Sequence, residues 1–336
     1  MTMTKMDTMT SRSKGGNESG KGDDMNTKPQ PQFRWTKQNE TLRQRIAGHI
    51  DETVFAAGVN RARAFLGSTT IFGSSYKIDL SNALDAADLA LLADSTPYLT
   101  MVSYMPPSDS SGRWNLCPWA TEGCRAVCLG IGSGRMNHGA ETLASREFDM
   151  DKTVVTRAMM KRAELFMADR QAFTFQMIVE IQSHLNTANR KGIKAAVRPN
   201  GTTDIPWESV TPEIFAIFGS EIQYYDYSKA PLKVRRNAPA NYHLTFSRAE
   251  TLENQRTAAE WIAAGHNAAV VFSTDKYHLP ETFEGMPVLN GDLHDMRFKD
   301  APGHWVGLSA KGAAKKDTSG FVEHDFTPGA WTFKAC

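Results

Sequence analysis

Three of the four cysteines, Cys117, Cys124 and Cys128, lie within Asn115-Leu-Cys-Pro-Trp-Ala-Thr-Glu-Gly-Cys-Arg-Ala-Val-Cys-Leu-Gly130, just after an apolar run that reads as a β-strand. Thiolates clustered this closely suit a metal site. Three ligands without an obvious fourth fit a [4Fe–4S] cluster that keeps one iron open, or a zinc ion completed by a histidine or water. His138, ten residues after Cys128, is the histidine that would close a structural Cys3His zinc site. The metal-free reading is that the thiols are small buried hydrophobes. Pro118, Gly123, Gly130, Gly132 and Gly134 let the loop wrap a cuboidal core and aim backbone N–H groups at its sulfurs.

A second set of polar residues follows other apolar runs. Asp204, in Asn200-Gly-Thr-Thr-Asp204, is a candidate general base, or else a helix cap. Asp226 and Lys229 form a candidate acid–base pair, or an ordinary surface ion pair. Arg198, Asn200, Ser247 and Lys311 are candidate cofactor-binding residues, with Gly312 allowing a phosphate or carboxylate close to Lys311. Gly291-Asp-Leu-His-Asp295 offers two carboxylates and an imidazole for a divalent metal, yet fits a solvated turn slightly better. Lys233, Arg235, Arg236, Lys315 and Lys316 can hold a nucleic-acid backbone or simply form solvated faces. Gly130-Ile-Gly-Ser-Gly134 lacks the strand and later acidic residue of a dinucleotide fingerprint. Cys336 is remote in sequence and reads as a bystander.

These residues need elements to hold them. Seven runs read as strands: 98–104, 193–197, 222–225, 242–246, 268–272, 287–289 and 305–308. Helical patterns intervene at 154–167, 172–189, 212–218 and 249–264. Such alternation predicts an α/β fold, a complete or partial parallel (β/α) barrel with an N-terminal helical extension. The cysteine loop and the polar segments would then gather at the C-terminal ends of the strands, where parallel barrels place their chemistry.

The chain has 336 residues and a formal net charge of +1, so it can bury a large core and carries no global basic field. Four cysteines make no disulfide framework, which points to a reducing compartment. No signal-peptide core and no run of eighteen apolar residues occurs, so the expectation is a cytoplasmic protein without a membrane partner. Residues 1–32 read as a disordered tail, 33–94 as a helical extension with Leu42, Ile46, Ile50 and Val54 at four-residue spacing, and 95–336 as the barrel domain.

The cysteine segment, Val197-Arg-Pro-Asn-Gly-Thr-Thr-Asp-Ile-Pro-Trp-Glu208, Tyr225-Asp-Tyr-Ser-Lys229, Leu244-Thr-Phe-Ser247 and Val306-Gly-Leu-Ser-Ala-Lys-Gly312 together resemble the phage gene-product-88 family over most of residues 95 to 325. A cysteine loop after a first barrel strand is also similar to radical S-adenosylmethionine enzymes, whose three cysteines bind a [4Fe–4S] cluster with the fourth iron free for the cofactor. Those enzymes space their cysteines by three and two residues, whereas this loop uses six and three and has no aromatic beside its last cysteine. The resemblances imply a phage-derived iron–sulfur enzyme using S-adenosylmethionine on a nucleotide, nucleic-acid-related or other small-molecule substrate, in the host cytoplasm. The competing expectations are a zinc-stabilised nucleic-acid or host-factor binding protein, and a barrel nucleobase transglycosylase with Asp204 or Asp226 as nucleophile.

Overall fold

A computed structural model describes residues 30–331 apart from 91, 93 and 133–147. His138, Gly134, Cys336 and nearly all of the expected tail therefore lie outside the described residues.

The N-terminal extension begins with α1 (Glu40–Ile46) and α2 (Glu52–Leu66). The four-residue periodicity does not run through as one helix, because Gly48 adopts φ +82° between them and Asp51 starts a new helix by accepting from Thr53 N and Val54 N. Val54 is consequently exposed, while Phe55, Val59, Ala62 and Leu66 form the buried stripe of α2. A two-residue strand follows, β1 (Phe72–Gly73), then α3 (Tyr76–Asn82) and α4 (Ala86–Leu89).

Beyond them the chain alternates. β2 (Tyr98–Ser103) leads through the cysteine loop, with α5 (Glu122–Ala126) and α6 (Leu129–Gly132), to α7 (Val154–Ala168) and α8 (Arg170–Arg190). β3 (Lys194–Arg198) precedes α9 (Trp207–Val210) and α10 (Glu213–Phe218), and β4 (Ile222–Ser228) precedes α11 (Leu232–Arg235). β5 (Tyr242–Ser247), α12 (Leu252–Ala263), β6 (Asn267–Phe272), β7 (Thr282–Phe283), β8 (Met286–Asn290), β9 (Trp305–Ser309) and β10 (Val322–Glu323) complete the order. All seven expected strands are present, with the four expected helical patterns between them.

The strands make one mostly parallel sheet in the order β1-β2-β3-β4-β5-β6-β9-β8-β7, which strand pairing does not close. β1 and β7 are antiparallel additions at the two edges. β5 pairs β6 only along residues 267–269, and β10 pairs residues 271–272 of β6 beyond that point.

The two faces of the sheet differ because alternate side chains point to opposite sides. Val197, Tyr224, Leu244, Phe246, Val270 and Phe272 enter the main apolar core with the helices. Each such large side chain contributes roughly 1.5–3 kcal/mol when fully buried. The extension joins this layer: Phe55 of α2 packs on Phe175 of α8, with ring centroids 5.0 Å apart.

On the opposite face, Tyr98, Arg198, Tyr225 and Tyr227 meet residues 291–300, the segment between β8 and β9. Phe298 packs on Tyr98 and Tyr225 with centroids 4.8 and 5.2 Å apart, and the Tyr225 hydroxyl donates to Asp295 at 3.1 Å. α3 braces the segment from the other side, since Lys77 Nζ donates to Gly291 O at 2.8 Å and Asp295 N donates to Ser81 Oγ at 2.8 Å.

Candidate functional site

The cysteine loop leaves β2 at Ser103 and lies across the C-terminal ends of β3, β4 and β5. Its first anchor is Ser108, a non-glycine residue held at φ +50°. That conformation costs about 1–2 kcal/mol, and it aims the Ser108 N–H at Cys117 Sγ, 3.1 Å away. The Cys117 thiol donates to Thr202 O at 3.4 Å, Asp204 N donates to Leu116 O at 2.9 Å, and Thr202 Oγ1 donates to Met105 O at 2.6 Å. The loop is thereby stitched to the turn after β3.

The second anchor is Glu250, beyond β5. Thr121 caps α5 by accepting from Cys124 N and donates its hydroxyl to Glu250 Oε2 at 2.7 Å, while Gly123 N donates to Glu250 Oε1 at 2.8 Å. Cys124 lies in α5, and Cys128 follows just beyond the end of that helix, near enough for charge on Cys124 to act on its thiol. At the start of α6 the backbone N–H groups of Gly130 and Ile131 favour the ionised form of the Cys128 thiol, and Ile131 N donates to Cys128 O at 3.2 Å. A Cβ on Gly130 would lie 2.8 Å from Thr202 and 3.0 Å from Pro107, so close packing of α6 on the site requires glycine there.

All three cysteines keep partial solvent access, yet they sit in a recess surrounded by protein. Loss of hydration raises the pKa of each thiol, carrying Cys128 up to about 12. The thiols also influence one another: charge on Cys128 and Cys124 raises Cys117, and charge on Cys124 raises Cys128. Lys229 opposes these effects at Cys124 and Cys128. Its ammonium is fixed by Ser247 O at 3.0 Å, Ser247 Oγ at 2.8 Å and Arg248 O at 3.4 Å, and lies 5.0 Å from the centre of the Phe321 ring.

Among the described residues, no group of three or more His, Cys, Asp or Glu side chains is arranged to hold a single metal ion. The thiolates of one zinc would sit about 4 Å apart, given Zn–S bonds of about 2.3 Å in a tetrahedron. A cuboidal cluster carries its thiolates on separate irons and so spaces them more widely. The three thiols influence one another electrostatically, with the Ser108 N–H on Cys117 and the Lys229 ammonium acting on Cys124 and Cys128.

The other sequence candidates fall into two further groups. Asn200, Asp204 and Asp226 join a buried network on the helix side of the sheet. Asn200 Oδ1 accepts from Thr203 Oγ1, Ile205 N and Trp207 Nε1, and its Nδ2 donates to Ile205 O and Asp226. Asp226 is fully buried, accepting from Asn200 N at 2.8 Å and the Tyr242 hydroxyl at 2.6 Å. Lys229 is not its partner: the Lys229 N–H donates to Asp204 Oδ2 at 2.8 Å. Asp204 is the member of this network within electrostatic reach of Cys117 and Cys124. Arg235, one of the basic residues considered for nucleic acid, is itself buried here, bonded to Glu208 at 2.6 and 3.1 Å and to Asp204 at 3.3 Å.

Arg198 and Lys311 belong to the opposite face. Arg198 Nη1 reaches both Asp295 oxygens at 3.1 and 3.0 Å, and Lys311 reaches Asp292 at 2.6 Å. Asp292 and Asp295 are thus not the solvated turn charges expected of that segment, since their side chains are 2% and 3% exposed. One residue of these sites carried no sequence signal: Lys77 lies in the helical extension, and only folding brings it to the strand ends. Glu250 stands in the polar segment Ser247-Arg-Ala-Glu250 that follows a strand, so its place at the strand ends was legible, but its grip on the cysteine loop was not.

No helix among the described residues is long and apolar enough to cross a membrane. No curated protein and no solved structure matches the chain. A family model does match, "Gene product 88", over residues 77–325 of 336, a span containing the cysteine recess, both charged networks and all the parallel strands. The chain belongs to the phage gene product 88 family.

Proposed function

We propose that Cys117, Cys124 and Cys128 hold a [4Fe–4S] cluster and that the chain is a radical S-adenosylmethionine-type enzyme built on a partial barrel. The reading rests on one observation: three coupled, partly open thiols lie at the C-terminal edge of a parallel sheet, beside the fixed ammonium of Lys229. A cluster with one iron free of protein ligands supplies a single electron to a bound S-adenosylmethionine. The residues around it have definable tasks. The N–H groups of Ser108, Gly130 and Ile131 spread negative charge from the sulfurs, Lys229 offsets it, and Glu250 fixes the loop against β5. The polar face carrying Arg198, Tyr227 and Lys311 is the substrate surface in this reading. A nucleotide or nucleic-acid-related substrate suits a phage protein, and a cluster of free thiols suits the reducing cytoplasm of its host.

Anaerobic purification with iron, sulfide and zinc assays tests the reading. About four irons and matching sulfide per chain, lost in Cys117→Ser, Cys124→Ser and Cys128→Ser, are expected. Stoichiometric zinc without sulfide overturns it. If iron is present but the reduced protein makes no 5′-deoxyadenosine from S-adenosylmethionine, the cluster has a redox or structural role and the radical mechanism fails.

A further inference from the structure

We infer that Lys77, Arg198 and Lys311 form an oxyanion subsite, taking the phosphate or carboxylate group of a small ligand. The three cations come from α3 and from the ends of β3 and β9, and two buried carboxylates orient them. Asp292 Oδ1 is shared by Lys311 at 2.6 Å and Lys77 at 4.0 Å. Asp295 Oδ1 is shared by Arg198 at 3.1 Å and Lys77 at 3.9 Å. Lys77 therefore lies closer to both other cations than the ~8 Å Debye length, so their repulsion is little screened.

The carboxylates do not exhaust this cluster. With Arg297 and its partner Asp300 included, four cations face three anions, which leaves one positive charge in excess. Asp292 is also occupied by Ser309 N at 2.7 Å and by the Ser309 hydroxyl at 2.5 Å, and Asp295 by the Tyr225 hydroxyl at 3.1 Å. The donors, by contrast, are under-used. Arg198 spends Nη1 on Asp295, while its buried Nε has no hydrogen-bond partner among the described residues. The Nε and Nη2 groups form the edge of a guanidinium that grips an oxyanion with two parallel hydrogen bonds. Lys77 donates to a single close acceptor, Gly291 O at 2.8 Å, and has two further N–H groups. The ring of Tyr227 lies against the guanidinium, 5.0 Å from Cζ to the ring centre, and steadies its plane.

Access follows from graded exposure. The side chains of Arg198, Lys77 and Lys311 are 14%, 26% and 48% exposed, so each cation keeps some contact with solvent. Thr202, four residues after Arg198 along the chain, accepts the Cys117 thiol.

Thermal unfolding of the purified full chain, in phosphate or acetate against chloride at matched ionic strength, tests the subsite. A saturable rise in Tm is expected, with the half-saturating concentration raised about tenfold in Lys311→Gln and in Arg198→Lys. Lys311 is half exposed, and Arg198→Lys keeps a positive charge against Asp295, so both variants should fold. A larger response to phosphate assigns the ligand a phosphoryl group, and a larger response to acetate assigns it a carboxylate. No response beyond chloride, or the same response in the wild type and both variants, overturns the inference. Iron content is measured on the same samples, so this subsite and the cluster reading can fail separately.

Discussion

Glu250 grips Gly123: one carboxylate oxygen accepts the glycine N–H at 2.8 Å, and a Cβ on that glycine would lie 2.6 Å from the other oxygen and 2.5 Å from Ser319 Oγ. The helix carrying Cys124 is thus clamped between the end of β5 and the chain leading into β10. Gly123→Ala should push this helix off its seat at a cost of about 1–3 kcal/mol. Glu250→Gln keeps the shape but replaces one of the two accepting oxygens by an NH2 that cannot accept, a loss of roughly 1–3 kcal/mol. Chemical denaturation reads both, and alkylation of Cys124 in the native protein should quicken in each. Unchanged alkylation would mean that the clamp does not position the cysteine.

Lys229 moves the thiols of both Cys124 and Cys128 towards their ionised forms. Lys229→Met should weaken retention of a bound cluster by about tenfold, the lower range for a residue supporting metal ligands. Lys229→Arg should restore most of it. Iron per chain after gel filtration is the measure, and equal iron in the methionine variant would remove Lys229 from the account.

Asp226 supplies a pH signature. Burial raises its carboxyl pKa to about 7, although Tyr242, Arg198 and Asn200 all favour the ionised form. In the unfolded chain the group ionises near 4. Its protonated form therefore stabilises the fold fully below about pH 4, and that contribution is lost as pH rises through about 7. Relative to Asp226→Asn, wild-type unfolding free energy should fall between pH 4 and 7 by up to about 4 kcal/mol, at about 1.4 kcal/mol per unit. Parallel pH profiles for the two proteins would refute the assignment.

Lys77 titrates early. Burial carries its pKa down to about 8, with Arg297 and Lys311 adding to the fall and Asp295 and Asp292 opposing it. Acylation of Lys77, followed by mass spectrometry, should reach half its limiting rate near pH 8, whereas ordinary lysines keep accelerating beyond pH 10. Lys311→Gln removes a neighbouring like charge and should move the midpoint upward. A midpoint above pH 10 in the wild type would show that the ammonium is well hydrated.

Local pattern made much of this architecture legible. The run Tyr242 to Phe246 announced β5 and the periodicity of residues 172–189 announced α8, because side-chain burial at period two or near 3.6 is written directly in residue order. β1, β7 and β10 escaped notice because two residues carry no period. Asp204, Asp226, Arg235, Asp292 and Asp295 looked like polar groups at strand ends or turns, and their burial depends on partners as far away along the chain as Ser81 is from Asp295, 214 residues.

The sequence by itself determined the alternation of strands and helices, the family and the three cysteines, since each is a matter of which residues lie near one another along the chain. Only the tertiary structure decided the pairings: Glu250 with Gly123, Lys229 with the thiols, Asp292 and Asp295 with Lys77, Arg198 and Lys311. A buried charge needs a partner wherever the fold can supply one, and distance in space is not recorded in spacing along the chain.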